Sequence, residues 1–250
     1  MNGFALHCND ISVRFGGVQA VRNVSLHLTP GRVTALVGPN GAGKTTLLNA
    51  LAGFISPDSG TCTLGSIDIT RLHVFQRARL GLVKTFQHPR LATQLSTRDH
   101  ILSALSSPEE EQISACFRPH INREDERRSG LVFEVLESTG LASQAEIPAG
   151  LLSFGQKKLL QLACALAMKP RVLLLDEPIA GVEQRLRTNF VAILAQVASA
   201  GMQVLFVEHD LGFVRQCADR VVFMDEGAIL FDGNPAAVLS LPDVLHAYVG

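Results

Sequence analysis

Apolar positions along this chain follow two textures, and the change between them predicts its organisation. Near the start, Ile11, Val13 and Phe15 alternate with polar neighbours, which predicts a strand with these three on one face. Gly16-Gly17 turns the chain, and Val18 to Val24 continues an antiparallel sheet spanning Phe4 to Leu28. Pro30-Gly31 leads into Val33-Thr34-Ala35-Leu36-Val37, a short buried strand, and Leu47 to Ala52 reads as a helix ended by Gly53. Pro57-Asp58-Ser59-Gly60 is a turn, with short strands at Thr61–Leu64 and Ile67–Ile69. From about Leu91 to Leu152 strand signals fade and helical patches appear, such as Leu131 to Leu136. The charge runs Glu109-Glu110-Glu111 and Arg123 to Arg128 are expected on solvated helix faces or loops. From Pro170 the α/β texture returns. Val172–Leu175 and Val204–Val207 are unbroken apolar runs, as in parallel strands buried on both faces. Val221 to Phe231 reads as a hairpin about Gly227, and Asn234-Pro235 opens a last helix with Pro at its first position. The expectation is a single α/β domain over 1–250: a core with a β subdomain at 1–87 and 156–250, and an inserted helical subdomain at 88–155.

Composition narrows the class. Apolar residues make up 47 % of the 250 positions, enough for a sizeable core. The net charge is −1 with no long basic run, so no nucleic-acid footprint is expected. Five cysteines are scattered without a Cys-x-x-Cys pair and read as reduced thiols, not as a disulfide frame or zinc site. The N-terminus lacks the basic and apolar regions of a signal peptide. The longest apolar run, Leu159–Met168, is interrupted by Gln161 and falls short of the roughly 20 residues a spanning helix needs. Any work at a membrane is then done from the aqueous side, on another chain.

The candidate chemistry begins at Gly38-Pro39-Asn40-Gly41-Ala42-Gly43-Lys44-Thr45-Thr46, a phosphate-loop pattern between a strand and a helix. Its glycines let backbone N–H groups approach phosphate oxygens, and the helix N-terminus adds partial positive charge. Lys44 supplies a point charge for β and γ phosphates, and the Thr45 hydroxyl can ligate Mg²⁺. Asp176 and Glu177 follow a buried strand at its carboxyl end, where ligands bind in open α/β sheets. Asp176 is expected to hold Mg²⁺ through water, and Glu177 to accept a proton from attacking water. His209 also ends a buried strand, where it can contact a γ-phosphate. Gln87, after Val83-Lys84-Thr85-Phe86, can reach Mg²⁺ and water. Ser153 and Gln156 fit a helix capping box, Ser-x-x-Gln, ahead of an apolar helix.

In order, these are a phosphate loop, Gln87, Leu152-Ser153-Phe154-Gly155-Gln156, Asp176-Glu177 and His209. This order resembles the nucleotide-binding subunits of ABC transporters over essentially the whole chain. The resemblance implies the phosphate-loop ATPase fold of that family, with ATP and Mg²⁺ as cofactors. It implies head-to-tail pairing with a second ATPase subunit, a copy or a paralogue. Each nucleotide then lies between the Lys44 loop of one subunit and Ser153, Gly155 and Gln156 of the other. Phe15 matches the aromatic that stacks on adenine. Two transmembrane permeases are implied as partners, with a solute-binding protein acting through them, at the cytoplasmic face of the inner membrane. Arg14-Phe15-Gly16-Gly17, Thr85-Phe86-Gln87-His88, Val207-Glu208-His209-Asp210 and the ending Ala247-Tyr248-Val249-Gly250 are similar to importers of branched-chain amino acids, or of urea and short amides. Phe154, Glu183 and Cys164 depart from common family residues, but none is a phosphate, metal or base position. The rivals are a soluble ATPase of this type acting on nucleic acid, a phosphate-loop kinase and a non-hydrolysing regulatory module.

Overall fold

A computed structural model describes residues 4–105 and 122–249; the side chains of residues 122–126 and 249 are not among those described. The Glu109-Glu110-Glu111 run and Cys116 lie outside the described residues.

Two sheets carry the fold. Strands β1 (Leu6–Phe15), β2 (Val18–His27), β4 (Ser59–Leu64) and β5 (Ile67–Asp68) form an antiparallel sheet in the order β2-β1-β4-β5. The second sheet has the order β10-β9-β3-β8-β7-β6. Here β3 (Val33–Val37), β6 (Leu82–Lys84), β7 (Val172–Asp176), β8 (Gln203–Val207) and β9 (Arg220–Asp225) run parallel, and β10 (Ala228–Gly233) turns back along β9. Every residue of β3, β7 and β8 is buried, which explains why their sequences show no alternation.

Helix α1 (Lys44–Ala52) packs against β1, β2, β6 and β7, so it bridges the two sheets. Its Leu47, Leu48 and Leu51 share one cluster with Ile11 and Val13 of one sheet and Leu36, Leu174 and Leu205 of the other. Beyond α1 lies α2 (Val74–Arg79), which the apolar pattern does not announce. Its Arg77 is 1 % exposed, and three of its nitrogens donate to four carbonyls, those of Ala50, Leu51, Thr70 and Leu72. The guanidinium thus adds donors to carbonyls in the last turn of α1, beside the bond that Gly53 N–H gives Ala50 O. At the start of β8, Gln203 is 2 % exposed; its amide accepts from Leu6 N–H at 2.8 Å and donates to Phe4 O at 2.7 Å.

The chain divides into two compact units, one comprising Met1–Gln87, Pro170–Ala180 and Val191–Gly250, the other His88–Lys169 and Gly181–Phe190. The second contains α3 (Thr97–Leu105), α4 (Asn122–Thr139), α5 (Phe154–Ala167) and the start of α6 (Gln184–Ser199). Leu159, Leu160, Leu162 and Ala163 are buried in α5, which packs on α3 and α4.

Two expectations change. Phe15 does not share the buried face of Ile11 and Val13. A pairing irregularity between Val13 and Arg14 turns it outward, and it is 51 % exposed. The last helix is two: α7 (Leu211–Cys217) is followed by α8 (Pro235–Val238), and then by α9 (Pro242–Val249). Asn234 caps α8 by accepting from Ala236 N–H, and Leu239 ends it. Among the described residues, no helix is long and apolar enough to cross a membrane.

Candidate nucleotide site

The site grows from the carboxyl ends of β3, β7 and β8. At the end of β3, Gly38 has φ 150°, and an added Cβ would lie 1.9 Å from the carbonyl oxygen of Met224 in β9. Gly43, just before α1, has φ 97°, and its added Cβ would lie 2.1 Å from Ala20 O in β2. No other residue type fits either place without moving a strand backbone. Gly227 N–H donates to Ala42 O at 3.1 Å and ties the loop to the β9–β10 turn.

Asn40, Gly41, Ala42, Gly43, Lys44, Thr45 and Thr46 line an open cleft of about 210 Å³ together with Ala20, Glu177 and His209. Sequence reasoning had no signal for Ala20, whose backbone sits there because Gly43 has no side chain. Gly38 and Pro39 act from behind, since their carbonyls each accept from Lys44 Nζ at 2.7 Å. Lys44 is 5 % exposed; burial lowers its pKa, and Glu177, Asp176 and Asp225 oppose that shift.

Glu177 is the most constrained acid in the site. It follows β7 with φ 46°, a left-handed conformation uncommon for a side chain of this size. Its N–H donates to Val207 O at 3.0 Å, which continues the ladder beyond the strand. One carboxylate oxygen accepts from Gln87 Nε2 at 2.6 Å; the other lies 3.1 Å from His209 Nε2. A carboxylate only accepts, so this histidine nitrogen carries the hydrogen. Glu208 supports the arrangement from the core. It is 3 % exposed, and its carboxylate accepts from Ile179 N–H and His209 N–H.

Asp176 is held differently. Its side chain is 6 % exposed and meets Lys84 Nζ at 3.0 Å, and the Lys84 side chain is 3 % exposed. The ammonium also lies 5.1 Å from the Phe86 ring centre and 5.9 Å from that of Phe54. The sequence marks Lys84 only as a strand residue, since a lysine on a short strand ordinarily reaches solvent. The oxygens suit a hard cation: the Asp176 carboxylate, the Thr45 hydroxyl, and the Gln87 carbonyl oxygen, whose amide nitrogen is engaged on Glu177. One protein carboxylate with phosphates and waters is the usual donor set for Mg²⁺.

Phe15, Ser153, Gly155 and Gln156 are not among the residues lining the cleft. Ser153 and Gln156 make the full capping box at the start of α5. Gly155 is buried, and an added Cβ would meet Leu186 at 2.7 Å. Phe154 lies on Gly181, whose added Cβ would be 3.0 Å from the ring.

The family profile described as "ABC transporter" matches residues 21–180. The chain is 34 % identical over 248 residues to the high-affinity branched-chain amino acid transport ATP-binding protein BraF of Pseudomonas aeruginosa, covering 98 % of this chain and 97 % of that protein. Identity and coverage are the same for LivG of Escherichia coli, which carries the same description. Among solved structures, a nucleotide-free ATP-binding cassette from an ABC transporter aligns over 99 % of both chains, with TM-score 0.86 and 31 % identity. The chain belongs to the ABC transporter family as one of its ATP-binding cassettes, and it is an ATPase. The nucleic-acid alternative gains no support from these relatives, which are transport proteins.

Proposed function

We propose that this chain is the ATP-hydrolysing subunit of an importer for branched-chain amino acids, or for a related small polar solute such as urea or short amides. The observation that carries the reading is Glu177 held between Gln87 and His209, beside the Lys44 loop. In this reading the loop N–H groups and Lys44 bind the β and γ phosphates. Lys44 leaves the Gly38 and Pro39 carbonyls to do so. Phe15, exposed at the end of β1, stacks on adenine. Thr45, Asp176 and Gln87 would hold Mg²⁺, which would supply charge neutralisation at the phosphates. Glu177 takes the proton from the attacking water, and His209 orients that carboxylate and contacts the γ-phosphate. The products are ADP and inorganic phosphate.

Ser153, Gly155 and Gln156 serve the nucleotide of a second ATPase subunit paired head to tail. The assembly docks peripherally on two permeases at the cytoplasmic face of the inner membrane, and a solute-binding protein acts through those permeases. Long identity to branched-chain amino acid relatives supports this solute class.

The test is purification of the tagged chain from detergent-solubilised native membranes. Co-purification of two polytopic proteins and a second ATPase supports the reading, and uptake assays in a deletion strain then give the solute. Recovery of the chain alone from the soluble fraction overturns it. Lys44→Ala must also lose ATP affinity, as measured by calorimetry.

A further inference from the structure

We propose that Tyr248, on α9, is a positioning residue for the phosphate loop: it holds the Gly38 peptide from behind while Lys44 moves between loop carbonyls and phosphate. The proposal rests on the reading of the Lys44 loop as the nucleotide site. Tyr248 is separated from Gly38 by 210 positions, yet its hydroxyl accepts from Gly38 N–H at 2.8 Å and lies 3.3 Å from Gly38 O, to which it donates. Gly38 has no freedom on its other side, where an added Cβ would meet Met224 O at 1.9 Å. The residue at which β3 becomes the loop is therefore gripped between β9 and α9.

The Gly38 carbonyl serves two donors, Tyr248 at 3.3 Å and Lys44 Nζ at 2.7 Å. A carbonyl has two lone pairs, so both bonds fit together. When Lys44 turns to a phosphate, it abandons Gly38 O and Pro39 O. Pro39 is half-buried and Gly38 is buried, so the Gly38 oxygen has the poorer access to water. A buried acceptor stripped of its donor opposes the move that strips it. The Tyr248 hydroxyl removes that opposition, because one donor stays in place throughout. Burial pushes the phenol pKa up, so the group remains a donor across the neutral range. Its effect falls on nucleotide affinity and not on the chemical step.

The chain has one tyrosine and no tryptophan, so its ultraviolet emission reports Tyr248 alone. The experiment uses the purified full chain. ATP affinity is measured by calorimetry for Tyr248→Phe in a Glu177→Gln background. Turnover at saturating ATP is compared for Tyr248→Phe and the parent. The loss of one hydroxyl hydrogen bond raises Kd and KM about five- to tenfold and leaves kcat within about twofold. Tyrosine emission of the unsubstituted chain keeps its folded-state character on ATP addition, because the hydroxyl keeps its hold on Gly38. Unchanged affinity in Tyr248→Phe overturns the proposal, whether or not Tm falls, because a tyrosine that merely anchors α9 lowers Tm alone. Emission that shifts on ATP addition to that of the unfolded chain, as it does if the hydroxyl lets go of Gly38, overturns it too. Lys44→Ala separates the two readings: if it loses ATP while Tyr248→Phe does not, only the Tyr248 proposal fails.

Discussion

Helices α1 and α5 both begin at residues singled out for phosphate chemistry, but their first turns are built in opposite ways. Helix α1 starts after Gly43, which offers no side-chain cap, and has no acid in its first turn. Helix α5 starts after Ser153, whose hydroxyl accepts from Gln156 N–H at 3.3 Å while the Gln156 side chain accepts from Ser153 N–H at 2.8 Å. The open first turns of helices ordinarily recruit side-chain oxygens. At α1, among the described residues, no side-chain cap occupies the first turn. At α5 the chain has satisfied its own donors, so Ser153 stabilises the fold whatever else it touches. The same N-terminal geometry is left uncapped by side chains at α1 and closed by its own capping box at α5, and the capping residue decides which.

Four substitutions or measurements break or sharpen that contrast. Glu177→Gln has the largest effect: turnover falls about 10²–10⁴-fold with ATP binding retained, as shown by steady-state ATPase assay beside calorimetry. Normal turnover in that variant removes Glu177 from the role of base. Next, Gly43→Ser gives α1 the cap that α5 has. Its Cβ collides with Ala20 O at an expected 2.1 Å, and its φ is 97°. Stability drops by about 3–5 kcal/mol in urea denaturation, and ATP binding goes with it. A stable, ATP-binding Gly43→Ser chain dissolves the contrast.

Ser153→Ala acts on stability alone in the isolated chain. It costs about 1 kcal/mol, seen as a Tm lower by about 2–4 °C, and Ser153→Gly costs only a few tenths. The smallest signal is a chemical background. Cys8, Cys164 and Cys217 are pushed up to about 12, and Cys62 to about 11, chiefly by burial. At neutral pH, mapped thiol labelling of these four stays at background until the chain is unfolded.

Much of the site is legible in the sequence because it lies at strand ends. The unbroken apolar runs Val172–Leu175 and Val204–Val207 are enough to place Asp176, Glu177 and His209 at one edge of a sheet. The phosphate loop shows through glycines that the observed backbone needs. Lys84, Arg77 and Tyr248 stay hidden for separate physical reasons. A buried lysine or arginine contradicts the ordinary expectation of a solvated charge, and only tertiary partners make it tolerable. Lys84 has Asp176, and Arg77 has four carbonyls. The Tyr248 contact spans 210 positions and has no local signature. Alternation misplaces Phe15 because it cannot register the irregularity before Arg14. The apolar stripe of α5 suits a helix partner as well as a sheet, so the pattern alone does not say that α5 packs on α3 and α4.

The amide of Gln203 has a consequence for how the molecule is made. It closes the backbone of β1 at Leu6, 197 positions earlier in the chain. At the usual pace of synthesis, 5–20 residues per second, Leu6 waits roughly 10–40 s for the side chain that completes its pairing. The start of β1 is therefore among the earliest parts translated and among the later ones to be completed. A nascent chain stalled before position 203 exposes that seam to chaperones and proteases.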